Sequence, residues 1–346
     1  DKPGKPMDII ILDPVMESNG MAFPLLDRPH VVLWKTEPEP DSIIGHHRGW
    51  AELLLTHELG HMHHLLRPQR HASAWERWNA ILGPLPQKAP RWVTEGYATV
   101  IEGKLTGSGR PHSAVRAAIL RQWALEGKLP AYAALSGTEG YLGGSMAYLV
   151  GSAYLGWLET QAQDPKVLQG LWTRMAGKRD FEASFLATFG FSAQDGYQRF
   201  CAELTHTALE QERRVKAQGL REGAVFTQLR GEVTDLSLSP DGTKLMARVL
   251  DPKKPGLYVW DRVQGALPWK PVWVDDHTLA FQLRLPDAEG MLQAAPWRWT
   301  LGGTAKAGAA APKPAPSALS WKEVDGIWNL VDAAGKPLTR TLAAAR

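Results

Sequence analysis

The stretch WAELLLTHELGHMHHLL, residues 50–66, decides the fold of the first half of the chain. Its apolar residues recur every three or four positions, which predicts a helix over residues 49–66. His57 and His61 lie four positions apart on this helix and therefore face the same way. Two imidazoles in this arrangement can bind one metal ion, and Glu58 beside them can reach a water on that metal. The stretch therefore predicts a helix that carries an HExxH metal site.

A catalytic zinc ion usually has a third protein ligand, and two residues are candidates. His64 lies seven residues after His57, about 10 Å further along the axis at about 1.5 Å per residue, so it reaches the metal only if the helix breaks. Otherwise His63 and His64 are surface residues or support the ligands. Glu95, in the segment RWVTEGYA that opens a second predicted helix, is the other candidate. The glycine after it favours close approach of two helices, although a carboxylate at a helix start is also favoured by the helix dipole.

The combination of HExxH with W-x-x-E-G-x-A resembles the gluzincin metallopeptidases, and within them the peptidase MA-like family. The resemblance covers about residues 7–205. It implies one Zn²⁺ per chain, held by His57, His61 and Glu95, with Glu58 as the general base. It also implies a mainly helical, thermolysin-like peptidase domain with a small N-terminal sheet.

Two further segments resemble parts of that family. Tyr141, in YLGG, matches a tyrosine that donates a hydrogen bond to the developing oxyanion, and Tyr148 and Tyr154 are interpreted as packing residues. The segment Asn19, Gly20, Met21 and Ala22 stands where the family has an edge strand that pairs with the substrate backbone. Aminopeptidases of the group carry a glutamate in that strand, whereas Ala22 is followed here by Phe23, so the expectation is an endopeptidase.

The remaining pattern divides the chain into a peptidase domain over residues 1–222 and an all-β segment over 223–346. Strands are expected at 7–13, within 18–23, and at 30–34, and helices at 49–66, 72–82, 92–104, 111–126, 141–161, 165–176, 180–188 and 193–217. Past residue 222, short alternating strands and SPDG-like turns recur after 34 residues, from Asp241 to Asp275. These repeats resemble TolB-type β-propellers. About three blades fit, so the remaining blades are expected from the same, longer protein or from a second chain. A β-sandwich is the alternative.

Composition excludes several classes of protein. A chain of 346 residues predicts two domains at about 150 residues each. The net charge of +3 is too small to indicate a nucleic-acid partner. No apolar run reaches the roughly 18 residues of a membrane span, and Cys201 is the only cysteine.

The sequence therefore predicts an α+β zinc peptidase that acts on a peptide or protein substrate. The alternatives are a non-catalytic scaffold with a vestigial metal site and a partner-binding propeller, or a zinc hydrolase of a non-peptide amide. The resemblance to bacterial envelope proteins implies a periplasmic or extracellular location.

Overall fold

The computed structural model describes most of the chain. It covers residues 6–13, 16–24, 28–39, 42, 44–66, 73–75, 89–138, 143–178, 180–220, 231–251, 253–259, 262–264, 269–310, 320–324, 327–331 and 334–336. The chain forms two compact units, one comprising mainly residues 17–218 and the other mainly residues 219–343. Helices dominate the first unit and strands the second, so the fold class is mixed α+β.

A three-stranded sheet begins the first unit. Its strands are β1 (Asp8–Leu12), β2 (Gly20–Phe23) and β3 (His30–Trp34), in the order β1-β3-β2. β1 runs parallel to β3, and β2 runs antiparallel to it. Alternate residues of β3 are buried, because one face of the strand packs against the following helix.

Seven α-helices follow among the described residues of this unit. They are α1 (Trp50–Leu65), α2 (Arg91–Thr106), α3 (Ala114–Leu125), α4 (Ser152–Ala162), α5 (Val167–Lys178), α6 (Phe181–Phe189) and α7 (Ala193–Ala217). The HExxH helix, α1, is tied to the sheet where the Trp50 indole donates to the Trp34 carbonyl at 3.0 Å. Ser113, Asp180 and Ser192 cap α3, α6 and α7 with their side-chain oxygens.

The expected helix over residues 141–161 is wrong as a single α-helix. The described part opens with a 3-10 turn at Gly143–Ser145 and a π-helical turn at Ala147–Gly151, and only then becomes α4. The expected helix at 72–82 lies largely outside the described residues. The other expected helices are present, with ends that differ by up to three residues.

Two glycines bring α2 and the π-helical turn into backbone contact. A Cβ on Gly151 would lie 2.5 Å from the Trp92 carbonyl oxygen, and one on Gly96 would lie 2.8 Å from the Gly151 carbonyl carbon. Real Cβ atoms do not approach this closely, so both positions require glycine. The close helix approach expected from Gly96 is therefore present.

The second unit is built from antiparallel sheets. One contains β4 (Glu232–Leu238), β5 (Leu245–Leu250), β6 (Gly256–Val259) and β7 (Arg262–Gln264) in sequence order. Another contains β8 (Trp269–Asp275), β9 (Thr278–Pro286), β10 (Leu292–Thr300) and β11 (Lys306–Ala307), and β12 (Ser320–Val324) pairs with β13 (Ile327–Val331). The two larger sheets share an apolar cluster that includes Met246, Leu257 and Phe281. The strands described here form no closed propeller, so the propeller assignment stays a prediction.

Candidate metal centre

Helix α1 brings the two histidines of the HExxH motif together. His57 and His61 are both buried, and their Nε2 atoms lie 3.2 Å apart. The rings are held edge to face, with centroids 4.8 Å apart. This is the one-turn spacing that the sequence predicts for two ligands of one ion.

Helix α2 supplies the third group. Glu95 Oε2 lies 3.0 Å from His61 Nε2 and 3.6 Å from His57 Nε2. His57, His61 and Glu95 form the one group of three such side chains with converging ligand atoms in the described part of the chain. Burial would raise the pKa of Glu95, but the neighbouring imidazoles of His57 and His61 outweigh it and hold that pKa well below its usual range.

The spacing of these three atoms fits a metal ion. Ligand atoms bound at about 2.0–2.1 Å to a tetrahedral ion lie about 3.3 Å apart. The separations between His57, His61 and Glu95 are 3.0, 3.2 and 3.6 Å. Glu95 Oε2 is buried and accepts no hydrogen bond of good geometry. These residues can therefore hold a metal ion.

The outer nitrogen of His57 is fixed by a buried ion pair. His57 Nδ1 lies 2.9 Å from Glu102 Oε2, and Glu102 is completely buried. Arg110 binds both oxygens of Glu102, Oε2 through Nη2 at 2.5 Å and Oε1 through Nε at 3.0 Å. His57 Nδ1 also lies 2.8 Å from Arg110 Nη2, but only the carboxylate can accept a proton from it. With the proton on Nδ1 and donated to Glu102, Nε2 keeps its lone pair toward Glu95.

Gly109 makes this ion pair possible. Its φ of +85° is in the left-handed region, and a Cβ there would lie 2.6 Å from Leu53 Cδ1 and 2.8 Å from Glu102 Oε1. The tight turn brings the backbone N–H of Arg110 to within 2.9 Å of Glu102 Oε1. Burial would raise the pKa of Glu102, but Arg110 and His57 outweigh it and keep Glu102 ionised.

His61 has a different partner. Its Nδ1 lies 3.2 Å from Nε2 of His64, a fully buried residue whose ring stacks on Trp172 at 4.4 Å. Burial, reinforced by the neighbouring His61, places the pKa of His64 well below its usual value, so this ring is neutral. His64 faces the side of His61 opposite Glu95. It therefore supports a ligand histidine and does not join the three ligand atoms.

Glu58 lies buried beside this cluster. Burial is the main reason that its pKa rises to about 7, and the charges of Glu95 and Glu102 add to the effect. β2 approaches Glu58 closely at Gly20. A Cβ on Gly20 would lie 2.9 Å from Glu58 Oε1 and 2.7 Å from Leu54 Cδ1. A carboxyl group with a pKa near 7 can both accept and donate a proton at neutral pH.

Tyr148, interpreted from sequence as a packing residue, lies at the site. Its ring packs against His57 with centroids 5.9 Å apart. The guanidinium carbons of Arg110 and Arg91 lie 4.6 and 5.3 Å from its ring centroid. Burial, followed by the charge of Glu95, raises its pKa to about 12, so its hydroxyl stays protonated near neutral pH. Tyr141 lies outside the described residues.

The predicted substrate strand coincides with β2 and the residue before it. β2 is an edge strand of the sheet, hydrogen-bonded to β3 on one side. Asn19 turns its carbonyl toward the Trp34 amide at 3.0 Å and its side chain toward the Gly20 amide at 2.9 Å. Met21 is 49% exposed and Ala22 is half-buried. The structure thus brings Gly20 to Glu58.

Glu102 and Arg110 were not predicted from the sequence, and Tyr148 was predicted only as a packing residue, which its contact with the core of this unit confirms. The spacing in the sequence did point to Glu102. It lies seven residues after Glu95, which places both residues on the same face of the helix, two turns apart. Arg110 had no signal of comparable strength, because it reaches Glu102 only through the turn at Gly109.

None of the helices in the described ranges has the length and hydropathy of a membrane span.

Comparisons with known proteins give no relative. The sequence matches no protein-family model, no curated protein and no solved structure.

Proposed function

We propose that this protein is a zinc-dependent peptidase whose ion is held by His57, His61 and Glu95. The observation that carries the proposal is the convergence of three ligand atoms at separations of 3.0 to 3.6 Å in a buried place. When the histidine Nδ1 protons go to Glu102 and His64, the atoms that converge all present lone pairs. Three converging lone pairs from two imidazoles and a carboxylate are a donor set that a zinc ion binds.

Zinc, when bound, supplies a Lewis acid that polarises a carbonyl and lowers the pKa of water toward about 7. Among the protein's own groups, Glu58 takes and returns the proton. Its burial and its pKa of about 7 support this role, because the transfer then needs little free energy in either direction. Zinc is favoured over magnesium or calcium because two imidazoles are ligands that those ions rarely accept.

Tyr148 is the hydrogen-bond donor that we assign to the carbonyl oxygen of the scissile bond. It is a protonated phenol beside His57, and Arg91 and Arg110 flank its ring. A donor held rigid before the reaction stabilises negative charge as it develops on that oxygen. The earlier candidate, Tyr141, remains a prediction.

The edge strand β2 supports a peptide substrate. Its free edge carries backbone N–H and C=O groups that can pair with an extended chain. Gly20 keeps that edge close to Glu58. No acidic side chain occurs within β2 (GMAF), so nothing in this strand would bind a free substrate amine, which favours an endopeptidase.

The test is cleavage of a quenched-fluorescent peptide library by the zinc-loaded protein and by Glu58→Gln. We expect the wild type to cleave, and the variant to keep one zinc per chain while losing at least about 100-fold in rate, because the proton acceptor is gone. Glu52→Gln, an exposed glutamate of the same helix, is the matched control and should behave as the wild type. Equal cleavage by Glu58→Gln and wild type would exclude the general-base role. If the zinc-loaded wild type cleaves no peptide, that result would favour the alternative of a non-catalytic scaffold with a vestigial metal site.

A further inference from the structure

A second buried charged group forms no ion pair among the described residues. Arg116, on α3, is 8% exposed. Its Nε donates to the Leu149 carbonyl at 3.2 Å, and none of the described carboxylates forms an ion pair with it. The carboxylate whose charge acts on it is Glu102, whose oxygens are already bound by Arg110. Burial lowers the pKa of Arg116 to about 10, which reflects the cost of holding a cation there.

Arg116 lines a cavity between α3 and α7. The cavity has a volume of about 240 Å³. Its walls are mostly apolar, and Pro111, Ala117, Leu120, Leu204 and Ala208 form them. The polar residues of the lining are Arg116, Arg121, Thr207 and Gln211, so the described lining of the cavity carries two cations and no acid. Arg121 donates to Gln211 at 3.3 Å, which bridges the two helices at this cavity.

We propose that this cavity binds a small amphipathic carboxylate, with its anionic head on Arg116 and Arg121 and its apolar tail against the leucines. The charge of Arg116 determines where the head binds, because a buried arginine that forms no ion pair with the described carboxylates is stabilised by a carboxylate that fits its planar fork. The walls of the cavity indicate an apolar tail, because they offer it apolar surface to pack against. The volume equals that of about eight water molecules at about 30 Å³ each, which suits an acid of roughly eight to ten non-hydrogen atoms.

The probe is octanoate, and isothermal titration calorimetry measures its binding to the full chain. We expect one site per chain. Octan-1-ol, which lacks the charge, and acetate, which lacks the tail, should each bind at least about tenfold more weakly. Equal affinity for octanoate and octan-1-ol would overturn the role of the arginines.

Variants separate this cavity from other apolar or charged surfaces. Ala208→Leu fills the cavity without changing charge and should abolish octanoate binding. Ala202→Leu, at an exposed position of the same helix, is the matched control and should leave binding unchanged. Arg121→Gln and Arg116→Met should each weaken octanoate binding about tenfold or more. Undiminished binding by Ala208→Leu or by Arg121→Gln would overturn the proposal even if Arg116→Met fails to fold.

The metal centre is controlled separately, since a carboxylate can also bind zinc. Octanoate is therefore titrated into zinc-loaded protein and into protein held with excess chelator. The cavity shares no lining residue with His57, His61 and Glu95, so equal affinities are expected in the two states. Binding that requires zinc would contradict the cavity as the site. Failure of the peptidase proposal would not affect this result.

Discussion

Glu102 is the residue on which the orientation of His57 depends. It is fully buried, accepts from His57 Nδ1 at 2.9 Å and pairs with Arg110. Groups that hold ligand histidines commonly affect metal affinity by about 10–100-fold. We therefore predict that Glu102→Gln weakens zinc binding by that factor, measured by competition with a chromogenic chelator. The variant should also be destabilised by about 3–5 kcal/mol, because Arg110 is left buried without its partner.

The control for Glu102→Gln is Glu126→Gln, which changes an exposed carboxylate just after α3. Its zinc affinity and stability should match those of the wild type. A Glu102→Gln protein that is destabilised but binds zinc with wild-type affinity would limit Glu102 to a structural role.

His64 is the residue on which the orientation of His61 depends. Replacing it with phenylalanine keeps a ring to stack on Trp172 but removes the acceptor that lies 3.2 Å from His61 Nδ1. We predict a loss of about tenfold or more in zinc affinity for His64→Phe, by the same chelator competition. His64→Gln restores an acceptor oxygen and should recover part of that loss. Equal affinity of His64→Phe and wild type would contradict a supporting role.

At this scale the sequence predicted that His57, His61 and Glu95 converge, but it did not predict the residues that hold them in place. The i, i+4 spacing of a helix brings His57 and His61 together without help from the rest of the fold. Glu95 was one of two candidates, and the structure separates it from His64. Tyr148 could not be predicted, because its direction depends on the π-helical turn, which the apolar pattern does not distinguish from an α-helix.

The contact between α2 and the π-helical turn is the element on which the geometry of the site depends. α2 carries Glu95 and Glu102, and the turn carries Tyr148. A Cβ on Gly151 would lie 2.5 Å from the Trp92 carbonyl oxygen, so the two elements would have to separate. We predict that Gly151→Ala lowers the free energy of unfolding by about 1–3 kcal/mol, measured by urea denaturation.

Gly156, one turn later in α4, provides the matched control. A Cβ there meets no atom within 4 Å. Gly156→Ala should therefore raise the free energy of unfolding, by up to about 1 kcal/mol, because alanine favours the helix. Destabilisation of similar size by both substitutions would contradict the close-contact explanation.

At the scale of elements, long periodic helices were predictable and their interruptions were not. The expected helix at 193–217 coincides with α7, where Ser192 caps the start. The expected helix at 141–161 was wrong as a single α-helix because its backbone is π-helical at Ala147–Gly151, where Gly151 lies against the Trp92 carbonyl. The pairing of β4 with β5 around the SPDG turn was predictable from the alternation of apolar and polar residues in the two strands. Gly242 has the positive φ that such a turn needs.

The division of the chain into two compact units determines how it should respond to metal removal. The three residues that could hold a metal ion, His57, His61 and Glu95, all lie in the unit of residues 17–218. A ligand that binds only the folded state stabilises by RT ln(1 + [L]/Kd), and this applies to the unit that holds the site. We predict two transitions in calorimetry of the zinc-loaded protein, of which excess chelator lowers only one.

The counterpart to this experiment is Glu95→Ala, which should show the lowered transition without chelator. A single cooperative transition, or an equal shift of both, would contradict independent units.

At this scale the sequence indicated a change from helices to strands near residue 222. It could not determine whether the strands close into a propeller, because short repeats specify each turn but not how many blades meet.

The most direct test of the zinc peptidase assignment is a titration of metal-stripped protein with Zn²⁺ while peptide cleavage is followed. The three converging atoms of His57, His61 and Glu95 form one site, so the rate should rise in proportion to added zinc and stop rising at one equivalent per chain. A chain that cleaves no peptide at any zinc ratio, or cleaves equally well without zinc, would contradict the assignment.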